Sequence, residues 1–307
     1  MGWSLSHVPD LRGRRILVTG ANSGIGLGAV ELLASKGATI LMACRTPSKA
    51  EKAADRVRAF APDATLEITQ LDLASLDSVR RCAETVGADG VDVLVNNAGV
   101  MALPEQKTAD GFEIQLGTNH MGHFALTGLL LPHLLNSPHG RVVTVGSVAH
   151  FFGKIPFDDL DADKSYSPWG RYASSKLANM LFLYELTRRV KAAGASLLPA
   201  GCHPGYANTN INRAAAAMKG ASFTERFMGS ANLYLAQSTH MGALPTVYAA
   251  TGEDVEAGGY YGPDGLFSLI GSVAPCRRHR RAEDAEAAAR LWETSVARTG
   301  VDFAALG

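Results

Sequence analysis

Short β-branched runs alternate with longer amphipathic stretches through the first two thirds of this chain, and few folds accommodate that rhythm. Arg14 to Val18, Thr39 to Met42, Leu66 to Ile68, Val91 to Val95, Val142 to Val145 and Ser196 to Leu198 read as strands. Between them, Ile25 to Ser35, Ser48 to Phe60, Ser75 to Val86, Gly111 to Leu135 and Tyr172 to Ala193 read as helices. Strands joined through helices run parallel, and the helices cover both faces of the sheet. Val91-Asp92-Val93-Leu94-Val95 is almost continuously apolar, as a strand buried on both faces requires. The expected class is α/β, a doubly wound parallel sheet.

Beyond Gly205 the alternation weakens. Asn208 to Ala236 carries small and polar residues with bulky Phe223, Phe227 and Met228. A helix over His240 to Ala250, a strand near Tyr260 and a last helix from Ala282 to Ala297 follow by pattern. Without repeats or linkers, the 307 residues read as one domain, with 14–205 as the core and 206–307 as substrate cover and C-terminal helix. The 29 basic and 29 acidic side chains balance, which argues against a nucleic-acid binder. Four scattered cysteines without a CxxC pair fit a reducing compartment rather than a disulfide framework. No apolar run is long enough to span a bilayer, and Met1-Gly2 to Ser6 meets only a loose lipidation pattern. A cytoplasmic location is the expectation.

The first strand runs straight into Gly20-Ala21-Asn22-Ser23-Gly24-Ile25-Gly26. Glycines there permit a tight turn that brings a pyrophosphate against the backbone and the N-terminus of the next helix. At the end of the second strand an acid would bind the ribose hydroxyl of NAD, whereas an arginine suits the 2′-phosphate of NADP. From Lys36 to Ala50 there is no acid, and the strand ends in Cys44-Arg45. Arg45, assisted by Ser23 and Lys49, favours NADP(H) over NAD(H). Asp72-Leu73 after the third strand and Asn96-Asn97-Ala98-Gly99 after the fourth complete the adenosine side.

Tyr172 and Lys176 stand four residues apart on a predicted helix and share one face. A free phenol has a pKa of about 10. The adjacent ammonium and a positive nicotinamide ring are expected to lower it, making Tyr172 a general acid and base. Ser147 ends the fifth strand and is placed to hydrogen-bond the reacting oxygen, while Asn119 is placed to hold a water that links Lys176 to solvent.

Together the glycine turn, Asn119, Ser147 and the Tyr172–Lys176 pair resemble the short-chain dehydrogenase/reductase family, whose Rossmann sheet fits the expected fold. The likeness covers roughly residues 14–205. It implies Tyr172 as proton donor or acceptor, Ser147 as oxygen positioner, Lys176 as nicotinamide-ribose ligand and Asn119 as relay. It also implies cofactor contacts from Pro204, Ala207 and Thr209 in His203-Pro204-Gly205-Tyr206-Ala207-Asn208-Thr209. Gly20 to Gly26, Ala43-Cys44-Arg45 and Asn119 to Phe124 look like the branch of retinol dehydrogenases and protochlorophyllide reductases. That branch usually prefers NADP and often takes bulky apolar substrates. The chain departs from it in having no recognisable membrane anchor, and the segment after Thr209 matches no substrate class.

Other signals carry two readings. His120 and His123 suggest a metal or a hydrogen-bonded core pair, with the core pair favoured. The run Arg277 to Arg281 suits an anionic partner or a solvated loop. Phe151, Phe152, Trp169, Tyr206, Phe227 and Met228 line an apolar pocket or belong to the core. The overall expectation is an oxidoreductase acting on a small-molecule carbonyl or alcohol, with no metal and no nucleic-acid partner. A homo-oligomer through the helices of Asn119 and Tyr172 is implied by the resemblance. A catalytically silent cofactor sensor and a sugar-nucleotide epimerase or dehydratase stand as rival readings.

Overall fold

The computed structural model describes residues 2–205, 238–265 and 270–307. Among them are strands β1 (Arg15–Thr19), β2 (Thr39–Cys44), β3 (Thr65–Gln70), β4 (Val93–Asn96), β5 (Arg141–Val145), β6 (Leu198–Cys202), β7 (Tyr260–Pro263) and β8 (Val273–Pro275). They form one sheet in the order β3-β2-β1-β4-β5-β6-β7-β8. Every neighbouring pair is parallel except β7 and β8. The helices are α1 (Gly24–Ala34), α2 (Pro47–Phe60), α3 (Leu76–Gly87), α4 (Gly122–Asn136), α5 (Pro168–Ala192), α6 (Thr239–Thr251) and α7 (Ala285–Thr299).

Side chains alternate across a strand, and here both directions lead into apolar layers. Ile16 and Val18 of β1, Ile40 and Met42 of β2, and Val93 and Val95 of β4 join a core with α1, α2 and α6. Leu17, Leu41 and Leu94 between them join the opposite core with α3, α4 and α5. This is why those runs are continuously apolar, and the doubly wound expectation holds. No described helix is long and apolar enough to cross a membrane.

Several boundaries differ from the sequence reading. The stretch from Gly111 to Leu135 is not one regular helix. A short turn at Ile114–Leu116 leads into a π-helical turn, Gly117–Met121, before α4 begins. The Gly122 N–H reaches back to the Gly117 carbonyl, a five-residue step that inserts one extra residue and re-aims Asn119. α7 starts at Ala285 rather than Ala282 because the Asp284 carboxylate accepts from the Ala287 N–H. β6 lies further along than Ser196–Leu198, and the antiparallel β8 carries too short a run to be read from pattern.

The C-terminal segment lies across α4 and α5. Trp292 stacks on Phe182 at 5.8 Å and meets Phe124 edge-on at 5.1 Å, and Phe303 sits 4.9 Å from Phe124. Arg189 covers the indole of Trp292 at 4.7 Å, and Ser295 bonds His120 at 2.8 Å.

Candidate active site

β1 and β4 are neighbours, yet the chain leaves them toward opposite faces of the sheet. That opens a crevice at their carboxyl ends, where α/β sheets hold ligands. Gly20 turns the chain there with φ +66°, and a Cβ on it would lie 3.0 Å from the Cα of Ala98. Only glycine meets both conditions. Asn22, Ser23 and Gly24 form the open rim, and Ile25 and Gly26 are buried in the first turn of α1. Ser23 is the helix N-cap residue, but its side chain makes no capping bond. The amides of this eleven-residue helix start and its positive dipole end face the crevice. Arg45 is exposed directly after β2.

A buried knot fixes the two strand ends to each other. Thr19 Oγ1 accepts from the N–H groups of Asn97 and Ala98, each at 2.9 Å. It also meets His123 Nε2 at 2.9 Å, and His123 Nδ1 lies 3.0 Å from the Asn119 carbonyl. A carbonyl only accepts, so Nδ1 carries the proton and Nε2 takes the one from Thr19. His120 is likewise engaged by Ser295. Burial pushes His120 down to about 3 and His123 down to about 4, so both rings are neutral hydrogen-bonding members of the core.

The rim residues expected to contact a cofactor divide into two groups. Ala98, Gly99 and Pro204 are half-buried along the crevice, as is Asp72, whose Oδ1 accepts from Ala74 N–H at 3.0 Å. Leu73 is buried, with its carbonyl pressed toward Gly122. Asn96 corrects the sequence reading: its side chain turns into the core and donates to Thr127 Oγ1 at 3.0 Å, away from the crevice. Ala207 and Thr209 lie outside the described residues, as do Tyr206, Phe227 and Met228. Phe152 and Trp169 are exposed beside the catalytic motifs, and the Trp169 ring stands edge-on to Tyr172 at 6.3 Å. A glycine turn, a helix start and an exposed guanidinium one strand away together suit a dinucleotide.

Ser147, Tyr172 and Lys176 come together beside this crevice. Ser167 caps α5, accepting from Gly170 N–H, and Pro168 starts the helix. One turn later Tyr172 and Lys176 point into the molecule, and Lys176 Nζ stands 6.0 Å from the Tyr172 ring centre. The ammonium donates to the Val145 carbonyl at 3.1 Å, and a Cβ on Gly99 would lie 3.6 Å from it. Lys176 therefore bridges the ends of β4 and β5. Ser147 Oγ accepts from Ala149 N–H at 3.2 Å and stands near enough to the phenol to favour its ionised form.

The electrostatics differ from the sequence expectation at one point. Burial pushes the Tyr172 phenol up, with the Ser147 hydroxyl opposing. It pushes Lys176 down to about 8, with Cys202 opposing. The protein alone thus holds the phenol as a proton donor at neutral pH and does not acidify it. Asn119 is also committed differently. Its amide nitrogen donates to the Val100 carbonyl and to Ser175 Oγ, each at 2.9 Å, and its Oδ1 accepts from Val100 N–H at 2.8 Å. The side-chain amide hydrogens brace the loop after β4 against α5, which leaves them no part in holding a relay water.

Two groups near the site escaped the sequence reading. Buried Arg171 and half-buried Asp159 form an ion pair at 2.6 Å that ties residues 159–165 to the start of α5. His150 touches the Ser147 backbone. Asp159 reaches Arg171 from a separate loop, so that pair has no spacing signal, and His150, although only three residues after Ser147, belongs to no pattern that marks it.

The family profile described as short chain dehydrogenase matches residues 14–220. Human retinol dehydrogenase 13 is 39% identical over 294 residues, covering 94% of this chain and 86% of that protein. Human retinol dehydrogenase 12 is 37% identical over 299 residues, covering 95% and 88%. Among solved structures, an uncharacterised protein from Mycobacterium Paratuberculosis is 43% identical, with TM-score 0.81 and 99% of both chains covered. A Pseudomonas aeruginosa RhlG/NADP active-site complex is 26% identical, with TM-score 0.65 over 85% of this chain and 98% of that one. This chain belongs to the short-chain dehydrogenase family, in its retinol dehydrogenase-like branch, and is an oxidoreductase of alcohol and carbonyl groups.

Proposed function

We propose that this enzyme interconverts a carbonyl and an alcohol with NADP(H), using Tyr172 as general acid and base on a bulky apolar substrate. The observation that carries the reading is the convergence of Ser147, Tyr172 and Lys176 beside the Gly20 crevice. Arg45, exposed after β2 in a stretch free of acids, supports NADP, and so does the NADP complex among its structural neighbours. When bound, the nicotinamide supplies or accepts the hydride. The rest belongs to the chain. Tyr172 gives its proton to the carbonyl oxygen as that atom gains negative charge. The Ser147 hydroxyl donates to the same oxygen, and Lys176 steadies the phenolate that remains. Alcohol oxidation is the reverse. The names of the relatives and the exposed Phe152 and Trp169 support an apolar substrate. A cytoplasmic location belongs to the same proposal, and cell fractionation tests it.

The test is a panel of aldehydes and ketones, retinal included, read with NADPH and with NADH. Tyr172→Phe is expected to lower kcat by about 10²–10⁴-fold, the usual contribution of a general acid, while NADPH affinity stays within about twofold. Wild-type turnover in that variant would remove Tyr172 from the chemistry. Tight NADPH binding without turnover of any substrate would instead favour a cofactor sensor.

A further inference from the structure

Ser147 does not stand free at the end of β5. Its carbonyl accepts from the His150 backbone N–H at 3.1 Å and meets His150 Nδ1 at 2.6 Å. On the far side of the same ring, His150 Nε2 lies 3.3 Å from the backbone N–H of His279. A carbonyl only accepts and a backbone N–H only donates, so both neighbours select one neutral tautomer, with the proton on Nδ1. The ring is fully buried, 4.4 Å from Phe151 and edge-on to Tyr260 at 5.7 Å. Burial pushes its pKa down, and His279 and Arg278 push the same way, while the hydrogen bond to Ser147 opposes.

The basic run after β8 holds the other end. Arg281 donates to the Phe151 carbonyl at 3.1 Å, and its backbone N–H donates to His279 Nδ1 at 3.1 Å. Arg278 donates to the Gly258 carbonyl at 2.9 Å and pairs with Glu283 at 3.3 Å. Arg281 thus reaches the turn that carries Ser147, while Arg278 anchors the same segment to Gly258 and Glu283.

We propose that His150 is a positioning residue for Ser147, a neutral imidazole strut that locks the serine backbone to the segment around His279. The Ser147 carbonyl and hydroxyl oxygen are then both held by the protein, and the hydroxyl proton is left to point at the reacting oxygen. This rests on the role given to Ser147 above. A displacement of about 1 Å in such a group can cost about 10²-fold in rate.

The experiment compares full-length wild type, Ser147→Ala, His150→Phe and His150→Asn with NADPH and retinal, or the best carbonyl of the panel. His150→Phe is expected to lower kcat by about ten- to hundredfold, with the KM for NADPH within about twofold. His150→Asn, whose amide restores a donor near Nδ1, is expected to recover most of that loss. Should His150→Phe not fold, His279→Pro serves. The φ of −69° at His279 suits proline, which deletes the N–H toward Nε2. This variant is expected to lower kcat several-fold. Nitrogen NMR of the wild type is expected to show His150 protonated at Nδ1 alone. The proposal is overturned by the opposite tautomer, by wild-type kcat in His150→Phe while Ser147→Ala is crippled, or by equal losses in the Phe and Asn variants. If Ser147→Ala keeps full turnover, the role of Ser147 falls first, and the tautomer alone decides whether the strut exists.

Discussion

Four histidines are buried in this enzyme, and the physics of burial keeps each of them uncharged. His120 is held down to about 3, His123 and His203 to about 4, and His150 also below its usual value, all chiefly through loss of water. An unfolded ring titrates near 6.5, so below that pH the unfolded chain binds protons that the folded chain refuses. Stability is therefore full above about pH 6.5 and falls as the solution is acidified. At pH 5 each of the three lowest rings removes about 2 kcal/mol, about 6 kcal/mol together, and His150 acts in the same direction. That is a large share of a typical 5–15 kcal/mol. Thermal melts by circular dichroism are expected to drop steeply between pH 6.5 and 5. A Tm that is flat over that range would show that these rings are not buried neutral. The sequence disclosed the spacing of His120 and His123 and left core against metal to judgement. It also placed Tyr172 one turn from Lys176, but it did not disclose the burial that pushes the phenol up in the protein alone. Spacing is local, whereas the cost of burial depends on everything packed around the ring.

Secondary elements show the same division. β1, β2, β4 and β5 were legible because each is apolar on both faces. The π-helical turn at Gly117–Met121 was not, since a single extra residue hardly alters an apolar pattern. What enforces it is close contact with the loop after β3. A Cβ on Gly122 would lie 2.4 Å from the Leu73 carbonyl oxygen, a backbone atom with little room to retreat. Gly122→Val is expected to destabilise the protein by about 1–3 kcal/mol, the usual range for overpacking. Because the strain falls next to Asn119, turnover should drop as well. Chemical denaturation reads the first effect, and an unchanged midpoint would mean that this junction is loose.

At the scale of the whole molecule, the outer faces of α4 and α5 are covered by α7 and the residues after it. Trp292 and Phe303 seal Phe124 and Phe182, and Arg298 pairs with Asp161 at 2.7 Å. The resemblance to relatives that pair through these helices suggested a homo-oligomer, but in this chain that apolar surface is satisfied from within. Light scattering is expected to report a mass near 32 kDa. Twice that mass would place an interface elsewhere on the surface. The pattern of α7 was visible in the sequence, but the face it covers was not, because amphipathicity says that a helix packs without saying against what.

Tryptophan placement gives the fold an optical signature. Trp169 is 49% exposed beside Tyr172, whereas Trp292 is 4% exposed among phenylalanines. The first indole should emit to the red and the second to the blue. A reduced dinucleotide settling near the phenol would drain the red emission by energy transfer more strongly than the blue. Titrating NADPH into the unlabelled enzyme should thus shift its fluorescence toward shorter wavelengths, and Trp169→Phe should sharply reduce that shift, half-buried Trp3 and buried Trp292 remaining.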